Sequence, residues 1–191
     1  MRELEERIKQ DGRVLNQDVL KVDTFLNHQV DPMLMQKIGH EFYKYFQDYP
    51  ITKILTVESS GIAPAILTGL EFQVPVIFAR KHRSITMNKD LYVADVYSFT
   101  KKVANKISIA KTFLNSQDHV LIIDDFLANG QAVSGLTEII QQAGAHLEGV
   151  GIVIEKTFQK GRQLIDQQQI PILSLARISG FQNGKVIFTE K

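Results

Sequence analysis

An apolar run that ends in two adjacent carboxylates and then a turn of small residues constrains this chain more than any other feature. Residues 121–135 read Leu-Ile-Ile-Asp-Asp-Phe-Leu-Ala-Asn-Gly-Gln-Ala-Val-Ser-Gly. The run 120–123 suits a buried strand, and Val133, Leu136, Ile139 and Ile140 recur at helical spacing just beyond it. A strand that turns at once into a helix belongs to an α/β sheet, and Asp124 and Asp125 then emerge at the strand's carboxyl end, where such sheets place ligands. Paired carboxylates accept hydrogen bonds from vicinal ribose hydroxyls, and the free N–H groups of the helix start suit a phosphate.

The rest of the chain repeats the alternation. Leu4 and Ile8 give a short helix one face before Asp11-Gly12 ends it, and residues 14–22 form a weakly patterned cap. Asp31-Pro32 starts a helix that carries Leu34, Met35, Ile38, Phe42, Tyr45 and Phe46 at helical spacing. A strand over 51–57, a loop at 58–61, a helix over 63–70 and a strand over 74–79 imply a right-handed parallel crossover. Residues 80–90 are basic and rich in turn formers, and 91–99 and 106–113 read as two strands facing each other. A helix over 131–143, a strand over 149–154, an amphipathic stretch at 159–168 and a short strand over 170–175 complete the series.

Composition narrows the partners. A length of 191 residues fits one domain, and a net charge of +1 gives no electrostatic reason to expect nucleic acid, so any anion site is local. The absence of cysteine excludes disulfides, thiolate metal sites and cysteine nucleophiles, and is compatible with a reducing cytosol. The charged, helix-prone start does not read as a secretory signal, and no apolar run has membrane-spanning length, so no membrane partner is expected.

Each candidate segment also has an ordinary explanation. Acids after a strand often cap turns and helices, and the small turn and helix behind Asp124 and Asp125 are what favour a ligand site. In the loop Ala128, Asn129, Gly130, Gln131, Ala132, both Asn129 and Gly130 accept left-handed backbone, which turns N–H groups inward as an anion nest; a plain turn competes. Ser59, Ser60 and Gly61 lie where N–H groups can receive diphosphate oxygens, although a serine turn before a helix is commonly just a cap. Arg80, Lys81, His82 and Arg83 suit a departing diphosphate or a solvated charge run, and their place at a strand end favours the first for Arg80 and Lys81. Lys156 follows an apolar strand and can donate to a carbonyl oxygen, Phe158 can stack or pack, and Asn27 is a polar loop residue.

The string Leu-Ile-Ile-Asp-Asp-Phe-Leu-Ala-Asn-Gly resembles the phosphoribosyl-diphosphate signature of the type I phosphoribosyltransferases. Val-Glu-Ser-Ser-Gly-Ile-Ala-Pro at 57–64 resembles that family's pyrophosphate loop and Phe-Ala-Arg-Lys at 78–81 its basic strand end, while Asn27 with Lys156 is similar to its bacterial xanthine branch. The resemblance runs from the amino-terminal cap to about residue 175. It implies the family's fold in a single domain over 1–191: a central, mostly parallel sheet flanked by helices, with residues 1–31 as a hood over the base and 81–97 as a lid loop.

The same resemblance implies roles. Asp124, Asp125, Arg80 and Lys81 are catalytic; Ser59, Ser60 and Gly61, with Ala128, Asn129, Gly130, Gln131 and Ala132, hold phosphoribosyl diphosphate; Leu20, Asn27 and Lys156 contact the base; and Mg²⁺ is bound through the substrate. It further implies a cytoplasmic homodimer that transfers the 5-phosphoribosyl group to N9 of xanthine, and a strained, cis peptide near Ser59-Ser60. Asn129 and Ala132 depart from the family's usual hydroxyl residues, and Ala128 stands where hypoxanthine-guanine enzymes carry an acid, which favours the xanthine branch. The alternatives are a phosphoribosyl-diphosphate-sensing regulator on the same fold and an enzyme for guanine or adenine. The chain lacks the length and basic excess of a DNA-binding regulator, and a donor such as Lys156 argues against adenine.

Overall fold

A six-stranded sheet forms the middle layer of the computed structural model, which describes residues 1–16, 18–81, 90–98 and 103–189. The chain opens with α1 (Arg2–Asp11), a small hairpin of β1 (Arg13–Val14) and β2 (Leu20–Lys21), and α2 (Pro32–Phe46). Next come β3 (Lys53–Val57), α3 (Ile62–Phe72) and β4 (Val76–Ala79), then an antiparallel ribbon of β5 (Leu91–Ser98) and β6 (Val103–Ala110). The elements β7 (His119–Leu127), α4 (Gln131–Ala143), β8 (His146–Lys156), α5 (Gly161–Asp166), β9 (Ile172–Gln182) and β10 (Lys185–Phe188) complete it.

The helices form where local chemistry favours them. The Asp31 carboxylate accepts hydrogen bonds from the N–H groups of Met33 and Leu34 at 3.1 and 3.2 Å, with Pro32 in the first turn, so α2 begins where a cap and a preset φ coincide. It buries Leu34, Met35, Ile38, Phe42 and Phe46, while Tyr45, expected in the same stripe, is exposed. The predicted apolar face of α4 is buried as expected, and Gly144 ends the helix in the left-handed conformation at φ 68°.

Two cores sandwich the sheet. Leu4, Ile8, Phe42 and Phe46 pack on one face, whereas Leu136, Ile139 and Ile107 pack on the other. Contact on the first face is close enough to demand glycine: a Cβ on Gly151 would fall 2.8 Å from Phe42 Cδ1, and one on Gly149 would overlap the Phe46 ring. Among the described residues no helix is long and apolar enough to cross a membrane.

Strand order is β10-β9-β8-β7-β3-β4, with only the β9–β10 pair antiparallel. From β3 the chain steps outward to β4, and from β7 it steps the other way through β8 and β9. The order therefore reverses between β3 and β7, which opens a crevice at their carboxyl ends.

Two expectations need correction, and a third lies largely outside the described residues. The series does not stop at residue 175: β9 runs on to Gln182 and folds back into β10 through Asn183-Gly184, both at positive φ (51° and 73°), as a two-residue hairpin requires. The second ribbon strand is Val103–Ala110 rather than 106–113, because Lys111–Phe113 closes into a 3₁₀ turn. In the expected lid, 82–89, including His82 and Arg83, lie outside the described residues, and the part from Leu91 to Tyr97 is most of β5. That part is anchored: Ala94 is buried, and Val96 lies so near α4 that a Cβ on Gly135 would come within 2.5 Å of it.

Candidate active site

Asp124 sits at the crevice, only 4% exposed, and the backbone N–H of Asp125 donates to its Oδ1 at 3.0 Å. Burial, reinforced by the neighbouring Asp125 charge, pushes the Asp124 carboxyl well above the usual carboxylate range. Burial also raises Asp125, with the positive charge of Lys81 partly offsetting the effect at both acids. Across the crevice Gly61 abuts the pair: a Cβ there would lie 2.9 Å from Asp124 Oδ1 and would overlap the Thr56 hydroxyl. Thr56 Oγ1 is itself buried with no hydrogen-bond partner among the described residues. Two crowded carboxylates beside an unsatisfied hydroxyl favour hydroxyl donors or a cation in front of them.

The turn after β3 lies on one side of this pair. Gly61 precedes α3 and no side chain caps that helix start, while the Ile62 N–H bonds Ser59 O at 3.2 Å. A cis peptide is present at Glu58–Ser59, next to the Ser59–Ser60 bond near which one is expected. Glu58, which sequence reasoning missed, ties this turn to the end of β4: its carboxylate accepts the Lys81 N–H at 2.6 Å and lies 3.7 Å from Arg80 Nε. The Arg80 backbone also pairs with Ser108 of β6, at 2.9 and 3.0 Å. Both predicted cations are thereby fixed at the strand ends with exposed side chains. An isolated loop glutamate carries no sequence signal for such a tie.

Beyond Leu127 the loop of residues 128–130 leads into α4, whose start also has no side-chain cap. Gly130 takes φ 76°, which glycine adopts without penalty, and this turn directs the chain into the helix. The outer side of the loop is closed by Gly161, whose N–H donates to Ala128 O at 2.9 Å. A Cβ on Gly161 would fall 2.5 Å from that oxygen and 2.9 Å from Gly130 N. Gly161 lies within the stretch that reads only as amphipathic, so its contact with the loop was not legible.

On the far side, Lys156 closes β8. Its ammonium donates to the Asp18 carbonyl in the β1–β2 hairpin at 2.5 Å and lies 5.6 Å from the centre of the Phe126 ring. Burial lowers the Lys156 pKa, and the Asp18 charge partly offsets it. The β1–β2 hairpin therefore reaches the end of β8, through Asp18. Leu20 is buried in the core, against the α1 end at Gly12, and Asn27 is exposed in the turn that follows buried Phe25 and Leu26. Phe158 stands edge-on to Phe181 at 5.8 Å, which is packing.

Strand ends β4, β3, β7 and β8 thus present, in spatial order, two cations, an uncapped helix start, an acid pair with a second uncapped helix start, and a lysine. That order can hold an anion, a polyhydroxyl and a carbonyl-bearing ring side by side. No family model matches the chain. It is 68% identical to a xanthine phosphoribosyltransferase of Latilactobacillus sakei over 191 residues, covering 100% of this chain and 98% of that protein. It is 66% identical to one of Lacticaseibacillus casei and 56% identical to one of Listeria monocytogenes, each over the full length of both chains.

Solved structures agree on the fold. The adenine phosphoribosyltransferase of Rhodothermus marinus superposes with a TM-score of 0.76 at 19% identity, over 93% of this chain and 100% of that one. The Trypanosoma brucei enzyme, solved with AMP, pyrophosphate and ribose-5-phosphate, gives 0.76 at 20% identity, over 91% and 79%. With full-length identities of 56–68% to relatives of one name and this sheet beneath them, the chain belongs to the xanthine phosphoribosyltransferase family.

Proposed function

We propose that the chain transfers the 5-phosphoribosyl group of phosphoribosyl diphosphate to N9 of xanthine, giving xanthosine 5′-monophosphate and diphosphate. The observation that carries this reading is Lys156, a half-buried ammonium at the end of β8 that would meet a ring oxygen with a donor, whereas the amino group of adenine would oppose it. Leu20 and Asn27 complete the base site in the hood of residues 1–31, within one domain. The protein acts as a homodimer in the cytoplasm.

Asp124 and Asp125 accept hydrogen bonds from the ribose 2- and 3-hydroxyls and place negative charge beneath C1 as the sugar becomes oxocarbenium-like. Residues 128–132 hold the 5′-phosphate on the N–H groups at the α4 start. Ser59 to Gly61 receive the diphosphate, and Arg80 and Lys81, held by Glu58, neutralise it as its bond to C1 breaks. No covalent nucleophile is needed, because N9 of the base attacks the carbon that the diphosphate leaves.

Mg²⁺ fits this site. The crowded carboxylates of Asp124 and Asp125, both raised by burial, favour a cation in front of them, and Mg²⁺ there would be held chiefly by substrate oxygens with these two acids beside it. When bound, the ion neutralises diphosphate charge. Parallel assays of xanthine, guanine, hypoxanthine, adenine and orotate with phosphoribosyl diphosphate and Mg²⁺ test the proposal. Xanthine should be the preferred base, and a preference for adenine or orotate, or binding without turnover, would overturn it.

A further inference from the structure

One ion cluster next to the site remains unused by this mechanism. Glu155, immediately before Lys156, is fully buried, yet its carboxylate is held below the usual range: burial opposes ionisation, and hydrogen bonds from Arg162 and Ser174 outweigh it. Arg162 grips it side-on through one edge of the guanidinium, Nε to Oε1 at 3.0 Å and Nη2 to Oε2 at 2.5 Å. Arg162 Nη2 also donates to Ser174 Oγ at 3.1 Å, and Arg177 Nε adds a second cation 3.3 Å from Oε2. A buried, forked pair of this kind is costly to desolvate and fixes the backbone that carries it.

The backbone fixed here is the start of α5. Arg162 follows Gly161, and Gly161 is the residue that bonds Ala128 O and packs against Gly130 N. Glu155 itself lies beside Leu127 in the β7–β8 ladder, one residue before the loop. The geometry points to Glu155 as a positioning residue: through Arg162 it clamps Gly161 onto residues 128–130 and so pre-shapes the N–H cradle for the 5′-phosphate. It touches no substrate. The inference rests on the phosphate-loop assignment proposed above.

The test uses the intact protein and two ligands that do not react, ribose 5-phosphate and inorganic diphosphate. In Glu155→Gln and Arg162→Gln, calorimetric affinity for ribose 5-phosphate should fall about tenfold or more while diphosphate affinity stays within about twofold. Arg162→Lys, which keeps the charge and loses the fork, should fall in between and serves if the other variants do not fold. Equal losses for both ligands, or unchanged ribose 5-phosphate binding in folded variants, would overturn the clamp. Failure of the unmodified protein to bind ribose 5-phosphate would instead overturn the phosphate-loop assignment and the clamp with it.

Discussion

Gly61 and Asp124 meet across the β3–β7 crevice with no room for a methyl group, since a Cβ on Gly61 would sit 2.9 Å from Asp124 Oδ1. Either the α3 start or the carboxylate must move to admit one. Gly61→Ala should lower stability by about 1–3 kcal/mol as an overpacked site and cut kcat/KM for phosphoribosyl diphosphate by about 100-fold. Thermal melts and steady-state rates with each substrate varied check both figures.

Asp124 and Glu155 should give opposite pH signatures in the unliganded protein. Asp124 has a raised pKa in the folded state, so its contribution is present at low pH and lost as pH rises through that value. Glu155 has a lowered pKa, so its contribution is present above its ordinary value and lost as pH falls through the folded one. Near about pH 7, Asp124→Asn should therefore melt above the unmodified protein and Glu155→Gln below it, with both gaps closing on acidification. Melting curves across the acid range measure this, and Asp124→Asn should be inactive at every pH.

Lys156→Met removes the donor proposed for the base edge while keeping much of the side chain's bulk. The KM for xanthine should rise about 10- to 100-fold, the cost of one hydrogen bond to a charged group, and inorganic diphosphate binding should hold. Equal losses in both would place the lysine outside the base site.

Glu58→Ala releases Lys81 N–H and Arg80 Nε together. The KM for phosphoribosyl diphosphate should rise about tenfold, because the two cations lose their shared anchor, with KM for xanthine unchanged. Initial rates at saturating xanthine report the effect.

Gly151→Ala should cost about 1–3 kcal/mol through collision with Ile123 and Phe42. Phe42→Leu in the same chain should recover part of that loss, which a double-mutant cycle of melting free energies would resolve.

Sequence patterns exposed what depends on periodicity. The helix over 131–143 was legible because spacing alone dictates it, whereas the strand expected to stop before the acid pair runs on through Asp124 and Asp125 to Leu127. Asn183-Gly184 was an available hairpin signal, but the mixed polar and glycine-containing flanks obscured the strands on either side. Glu58, Thr56, Gly161 and the Glu155–Arg162 pair were invisible for a different reason. Their meaning comes from contacts between segments distant along the chain or buried against expectation, and a charged residue beside an apolar run reads as solvent-facing.

Neighbours on a strand point to opposite faces, and β8 ends in a glutamate and a lysine that do so: Lys156 turns to Asp18 and Phe126, Glu155 to Arg162. A slip of one residue in β8 would exchange them, setting an acid towards Asp18 and Phe126 and a lysine among arginines. What forbids the slip lies near the opposite end of the strand, where only Gly149 and Gly151 fit beneath Phe46 and Phe42, and a shift would drive Val150 or Ile152 into those rings. Two phenylalanines deep in the core thus act as a reading-frame lock, deciding which charge faces Asp18 and Phe126 and which faces Arg162.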